Sequence, residues 1–235
     1  MGSLKLLNIV ESINKDIVYS ERDMFEGFDE SELREDYPTG FSFEAFKAAR
    51  SYSQKMTYAR YHLGKPIGTG TSRVVYRIDE TKVLKLAKNR KGIAQNEAEI
   101  NWYGDTYYDD ILAQVIDYDR DNSYWTEMEI AFKVKQEDFQ RLWGVKLKDV
   151  DLYLRNRESE NKGGRGYFHI NQETKDKLDE NDNVAHLVSF MYDSDNKAGD
   201  LTKLNSWGKV KRPYGETLVL IDFGLTDEVY KSYYS

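Results

Sequence analysis

The chain has 235 residues, of which 40% are hydrophobic and 32% charged, with a net charge of −7 at pH 7. That length and balance can bury a core, which excludes wholesale disorder, and the acidity argues against broad coating of nucleic acid. There is no cysteine, so disulfides, thiol nucleophiles and cysteine zinc sites are excluded, and His62, His169 and His186 have no metal-ligand spacing.

The first residues carry Glu11, Lys15 and Asp16 where a signal peptide needs an apolar stretch. No apolar run approaches the roughly 20 residues of a membrane span. A soluble, cytoplasmic protein is expected.

Leu6, Ile9, Val10, Ile13 and Ile17 predict a helix over 4–18. Residues 21–36 come next with eight acids against Arg22 and Arg34, a solvated segment or an acidic docking surface for a protein partner. A second helix is predicted from Ser42 as N-cap to Leu63, with Gly64 and Pro66 placed to end it. Residues 1–63 therefore read as a helical extension, itself a possible partner-binding surface.

From residue 65 the period changes to strands. Val74–Ile78 and Lys82–Ala87 predict a hairpin across Asp79-Glu-Thr81. A helix is expected over 93–104, strands over Ile111–Ile116 and Tyr124–Ile130, and a helix over 137–155. Residues 156–166, rich in glycine and charge, predict a flexible loop. Val184, Leu187, Val188 and Met191 mark a helix over 182–193. Val210 and Leu218–Ile221 flank the turn Lys211-Arg-Pro-Tyr-Gly215. The four tryptophans are expected in the core.

Three stretches carry chemistry. In Gly68-Thr69-Gly70-Thr71-Ser72, glycines between short strands let backbone N–H groups approach phosphate oxygens. Arg73 stands where a third glycine would complete Gly-x-Gly-x-x-Gly, and Gly-x-x-x-x-Gly-Lys-Ser/Thr is absent. Lys85 lies among Val83, Leu84, Leu86 and Ala87. On the buried face it needs an anionic partner, for which the next helix offers Glu97 or, favoured, Glu99. Residues 65–91 carry eight Lys or Arg, a local excess that suits an anion site. Further on, Asp200-Leu-Thr-Lys-Leu-Asn205 places an amide five residues after a carboxylate. Asp222 closes the apolar run Leu218–Ile221, where a carboxylate suits Mg²⁺.

In order and spacing, these stretches resemble the protein-kinase-like fold over residues 65–228. Ile67–Tyr76, Val83–Ala87, Lys91–Asn96, Gly199–Gly208 and Val219–Leu225 are similar to a small kinase-like family of tailed bacteriophages. The resemblance implies an α+β, minimal two-lobed kinase-like fold. After the helical extension it implies a small lobe over 64–130 and a reduced, mainly helical large lobe over 131–235. It implies ATP and Mg²⁺ as ligands. Gly68–Ser72, Lys85 and Glu99 would hold the nucleotide, with Met128 in the adenine-side strand. Asp200 would contact the acceptor hydroxyl, and Asn205 and Asp222 would hold the metal.

The family's pattern is incomplete here. Ala198-Gly199 replaces the usual His-Arg, Thr202 stands at the usual basic position with Lys203 one further on, and only residues 223–235 come after Asp222. Two functions result. One is an ATP·Mg²⁺-dependent phosphotransferase of unknown acceptor, with nucleotidyl transfer also open. The other is a pseudokinase acting as a binding, regulatory or virion-associated protein. A phage origin would place either in the bacterial host cytoplasm or the virion.

Overall fold

The computed structural model describes residues 40–233. The expected helix over 4–18 and the acidic segment 21–36 lie outside the described residues. Serines open the first two described helices. Ser42 accepts from the Ala45 N–H at the start of α1, Phe43–Ala48. Ser51 and Gln54 form a reciprocal capping box that starts α2, Tyr52–Leu63. The single helix expected over this stretch is thus two, because Ala49 turns extended and the Ser51 side chain competes with propagation. Gly64, at φ +69°, ends α2 as expected.

The chain then forms five strands: β1 (Gly68–Thr69), β2 (Arg73–Arg77), β3 (Lys82–Ala87), β4 (Val115–Tyr118) and β5 (Trp125–Glu129). They form an antiparallel sheet in the order β1-β2-β3-β5-β4. Strand alternation divides its faces. Val74, Tyr76, Leu84, Leu86 and Trp125 join Phe46, Ala59 and Leu63 in one core beneath α1 and α2. Val83 and Met128, one step out of phase, belong to the larger core instead. Between β3 and β4 lies helix α3, Arg90–Ile100. It starts earlier than the expected 93 because the Asn89 side chain accepts from the Gly92 N–H and caps it there, and it stops short of 104.

The remaining elements are β6 (Phe132–Lys133), α4 (Gln136–Leu142), α5 (Leu147–Asn161), α6 (Gln172–Asp179), α7 (Asp182–Asp193), α8 (Ala198–Leu201), a 3-10 turn (Leu204–Ser206), β7 (Trp207–Arg212), β8 (Gly215–Leu220) and α9 (Asp227–Tyr233). Strands β6, β7 and β8 make a second antiparallel sheet in chain order. The fold is mixed α+β with antiparallel sheets.

Three further expectations need correction. The helix expected over 137–155 is interrupted at Gly144, whose φ of +73° suits glycine. Residues 156–161, expected in a loop, continue α5, where charged pairs such as Lys162–Glu158 support a solvated helical face. The strand expected over 111–116 begins only at Val115. Ile111–Ala113 instead bond to the other sheet, with the Ala113 N–H donating to the Leu220 carbonyl at 2.9 Å and the Leu220 N–H to that of Ile111 at 2.7 Å.

This crossing joins the two sheets. Arg212 reinforces it, donating to the Leu112 carbonyl at 3.0 Å and to Glu129 at 2.7 Å. Beneath the second sheet, Trp143 and Trp207 meet edge-on with centroids 5.0 Å apart. Such geometry contributes about 0.5–1.5 kcal/mol beyond area burial. Trp207 also donates to the Leu201 carbonyl at 2.7 Å, tying the end of α8 to β7. Among the described residues no helix is long and apolar enough to cross a membrane.

Candidate functional site

Strand β3 sets the first functional side chain. Leu84 and Leu86 take one face of the sheet, so Lys85 projects from the other, toward α3. There its ammonium lies 3.1 and 3.0 Å from the two carboxylate oxygens of Glu99. Glu97, the alternative partner, is exposed. Lys85 also donates to the Ile221 carbonyl, at the residue before Asp222. Burial pushes the Lys85 pKa down, while the opposing charge of Glu99 resists that shift.

Glu99 has no exposed surface and serves as a hub. Besides Lys85 it takes Arg73, whose guanidinium is 2.8 Å away, and the Phe223 N–H at 3.4 Å. Three elements therefore converge on one carboxylate: β2, β3 and the segment after β8. A buried charge requires such compensation.

Arg73 continues the chain of charges. Its other terminal nitrogen forms an ion pair with Asp222. The arginine side chain is 8% exposed and the Asp222 side chain 54%, so the carboxylate opens outward while its partner is enclosed. Desolvation would raise the Asp222 pKa, but the charges of Arg73, Lys85 and Lys203 outweigh it and hold the carboxyl below its ordinary value.

Helix α8, which carries Asp200, and the residues after it adjoin this group. Lys203 bonds to Asp200 at 2.6 Å and acts electrostatically on Asp222. The Ile221 N–H donates to the Ser206 carbonyl at 2.8 Å, so Asn205 and Asp222 flank one hydrogen bond on adjacent segments. Asn196 secures the other side, donating to the carbonyls of Phe223 and Leu225. Arg155, on α5, lies against Gly199: a Cβ there would come within 2.9 Å of its guanidinium.

The glycine turn is braced by residues C-terminal to it. Gly70 N–H bonds to the Arg73 carbonyl at 2.9 Å. Lys88 donates to the Gly70 carbonyl at 2.8 Å, and Asn89 to that of Thr71 at 3.0 Å. Ser72 is buried and bonded to Gln95 at 2.6 Å, so its hydroxyl has a structural partner, whereas Thr69, Gly70 and Thr71 are exposed. Gly92 permits α3 to approach, since a Cβ there would lie 2.2 Å from the Ser72 carbonyl oxygen.

The structure thus gathers Lys85, Glu99, Asp222 and, through Lys203, Asp200; Asn205 is exposed and neighbours Asp222 through the backbone bond between Ile221 and Ser206. Met128 stands on the Lys85 face of the first sheet, two positions along β5 from Thr126, which pairs with Lys85. Met128 is buried in the main core, and its backbone is paired between β3 and β4. The residue that the motifs alone did not single out for the site is Arg73. Its signal was present: a cation directly after a glycine turn and before Val74-Val75, where strand burial demands a counter-charge.

Among the described residues no three His, Cys, Asp or Glu side chains gather as a metal-binding group. A cation here would depend on Asp222 and Asn205 together with ligand and water oxygens. That small oxygen set suits Mg²⁺, which keeps several waters and shares phosphate oxygens.

No protein-family model matches this chain, and no curated protein matches it in sequence.

Proposed function

We propose that the protein is a minimal ATP- and Mg²⁺-dependent phosphotransferase on a two-lobed protein-kinase-like fold. The observation that carries this reading is the convergence of Lys85, Glu99 and Asp222 from three elements, with Asp200 and Lys203 alongside. Lys85, held by Glu99, would bind phosphate oxygens. The exposed Thr69–Thr71 turn would cover them. Asp222 and Asn205 would hold Mg²⁺, which supplies charge neutralisation along the phosphates.

Phosphoryl transfer requires mainly positioning and charge stabilisation. The acceptor hydroxyl oxygen bonds to the γ-phosphorus as the bond from that phosphorus to the β–γ bridging oxygen breaks. ADP leaves, and the hydroxyl proton passes to Asp200. Lys203 stands where it can both orient Asp200 and meet negative charge between Asp200 and Asp222. This supports transfer despite Thr202 at the usual basic position.

A thermal-shift titration with ATP and MgCl₂ tests the reading, followed by assays of ATP hydrolysis and phosphate transfer to small hydroxyl acceptors and proteins. Ligand at about 100 times its dissociation constant stabilises a protein by about 2.7 kcal/mol. Absence of any shift sinks the proposal.

One observation favours a second reading, a pseudokinase that binds nucleotide without transfer: Asp222 already has a cationic partner in Arg73. A nucleotide shift with no transfer or hydrolysis, unchanged by Asp200→Asn, would select it.

A further inference from the structure

We propose that Arg73 is an exchangeable counter-ion that makes metal binding at Asp222 depend on nucleotide. The inference rests on the nucleotide-binding reading above and concerns how that site is assembled.

The charges set the argument. Arg73 and Lys85 contribute two positive charges, and Glu99 and Asp222 two negative ones. The quartet is neutral by itself. A divalent ion arriving alone on Asp222 would meet Arg73 already on that carboxylate and Lys85 close by. It would have to displace a guanidinium that is 8% exposed, and would bring two further positive charges to a quartet already in balance. Metal alone is therefore disfavoured.

A nucleotide arriving with the metal changes this balance. Its phosphates bring negative charge to the same place and offer a planar guanidinium paired acceptor oxygens. One Arg73 nitrogen can remain on Glu99, 2.8 Å away, as a pivot. The other exchanges Asp222 for phosphate and frees the carboxylate for the metal. The geometry supports exchange because Asp222, 54% exposed, is the accessible member of the pair and Glu99 the enclosed one. Arg73 sits at the root of the glycine turn, whose Gly70 N–H bonds its carbonyl, so the exchange also couples to the turn. Arg73 is thus a positioning residue acting through Asp222.

The test uses Mn²⁺ as probe, with free ion read by electron paramagnetic resonance on the full chain, without and with ADP, and protein-bound ion taken as the loss beyond that caused by ADP in protein-free solution. Wild type should bind Mn²⁺ weakly alone and more tightly with ADP. Arg73→Gln should bind Mn²⁺ alone about tenfold more tightly than wild type, because a unit charge beside the ligand oxygens has been removed. The ADP-dependent gain should shrink in the variant, since coupling between two ligands is reciprocal and originates in the exchange. A merely structural arginine would not yield a gain of metal affinity on removal. Equal Mn²⁺ affinity in the two proteins without nucleotide overturns the proposal. If Arg73→Gln does not fold, wild type decides: Mn²⁺ binding of the same strength with and without ADP overturns it. If ADP binds neither protein, the nucleotide reading fails, and the comparison in Mn²⁺ alone still judges Arg73.

Discussion

Lys85 of β3 faces Glu99 of α3 with both carboxylate oxygens within 3.1 Å of one ammonium, at a point where Glu99 has no exposed surface. This pair connects the first sheet, its covering helix and, through the Phe223 N–H, the segment after β8.

Removing the two partners should have unequal consequences. Glu99→Ala leaves Arg73 and Lys85 facing each other without their shared anion, and should cost about 3–5 kcal/mol of stability. Lys85→Met leaves Glu99 still paired to Arg73, and should cost about 1.5–3 kcal/mol, in the range of a charged hydrogen bond. Urea unfolding of both variants measures the difference; an equal loss would deny Glu99 its role as hub.

Gly92 should resist substitution. A Cβ there would lie 2.2 Å from the Ser72 carbonyl oxygen and 2.9 Å from the Ala87 Cα, both backbone atoms that cannot rotate aside. Gly92→Ala should destabilise by about 1–3 kcal/mol and, on the proposed nucleotide reading, weaken nucleotide binding by shifting the glycine turn. Wild-type melting and nucleotide affinity in this variant would show that the turn does not depend on α3.

The break between α1 and α2 depends on Ser51. Ser51→Ala removes the acceptor for the Gln54 N–H and should cost about 1 kcal/mol in denaturant unfolding. A fully neutral result would mean that burial of Ala59 and Leu63, rather than capping, places the second helix.

Asp227 should leave a signature in acid. Ion pairs with Lys197 and Lys231 hold its pKa down to about 2, from an ordinary 3.8. A carboxylate with a depressed folded pKa contributes stability above its unfolded value and loses it as pH falls through the folded one. Asp227→Asn should therefore be less stable than wild type at neutral pH, and the two should converge as pH approaches 2. A difference that persists undiminished into strong acid would assign the effect to something other than this charge.

Much of the site was legible because its chemistry is local. Lys85 amid Val83, Leu84, Leu86 and Ala87 announces a cation on a buried strand, and the preference for Glu99 over Glu97 agrees with Glu99 being the enclosed one. The hairpin of β2 and β3 arises from alternation, and the end of α2 at Gly64 from that residue's backbone freedom. Helix α6 left little trace because only Leu178 on it is buried, so no stripe exists to read. Residues 111–113 misled because an apolar run says that a segment is enclosed and not which sheet encloses it.

What the order of residues determined by itself was the alphabet of the site: a glycine turn, a lysine in an apolar strand, and carboxylates at loop and strand ends. Those properties depend on neighbours within a few positions, through alternation, capping and the need to neutralise a buried charge. Only the tertiary structure decided that Arg73 bridges Glu99 and Asp222, although 149 positions separate it from the latter. No local rule reaches that far, because the pairing arises only when two sheets and a helix have already closed on one another.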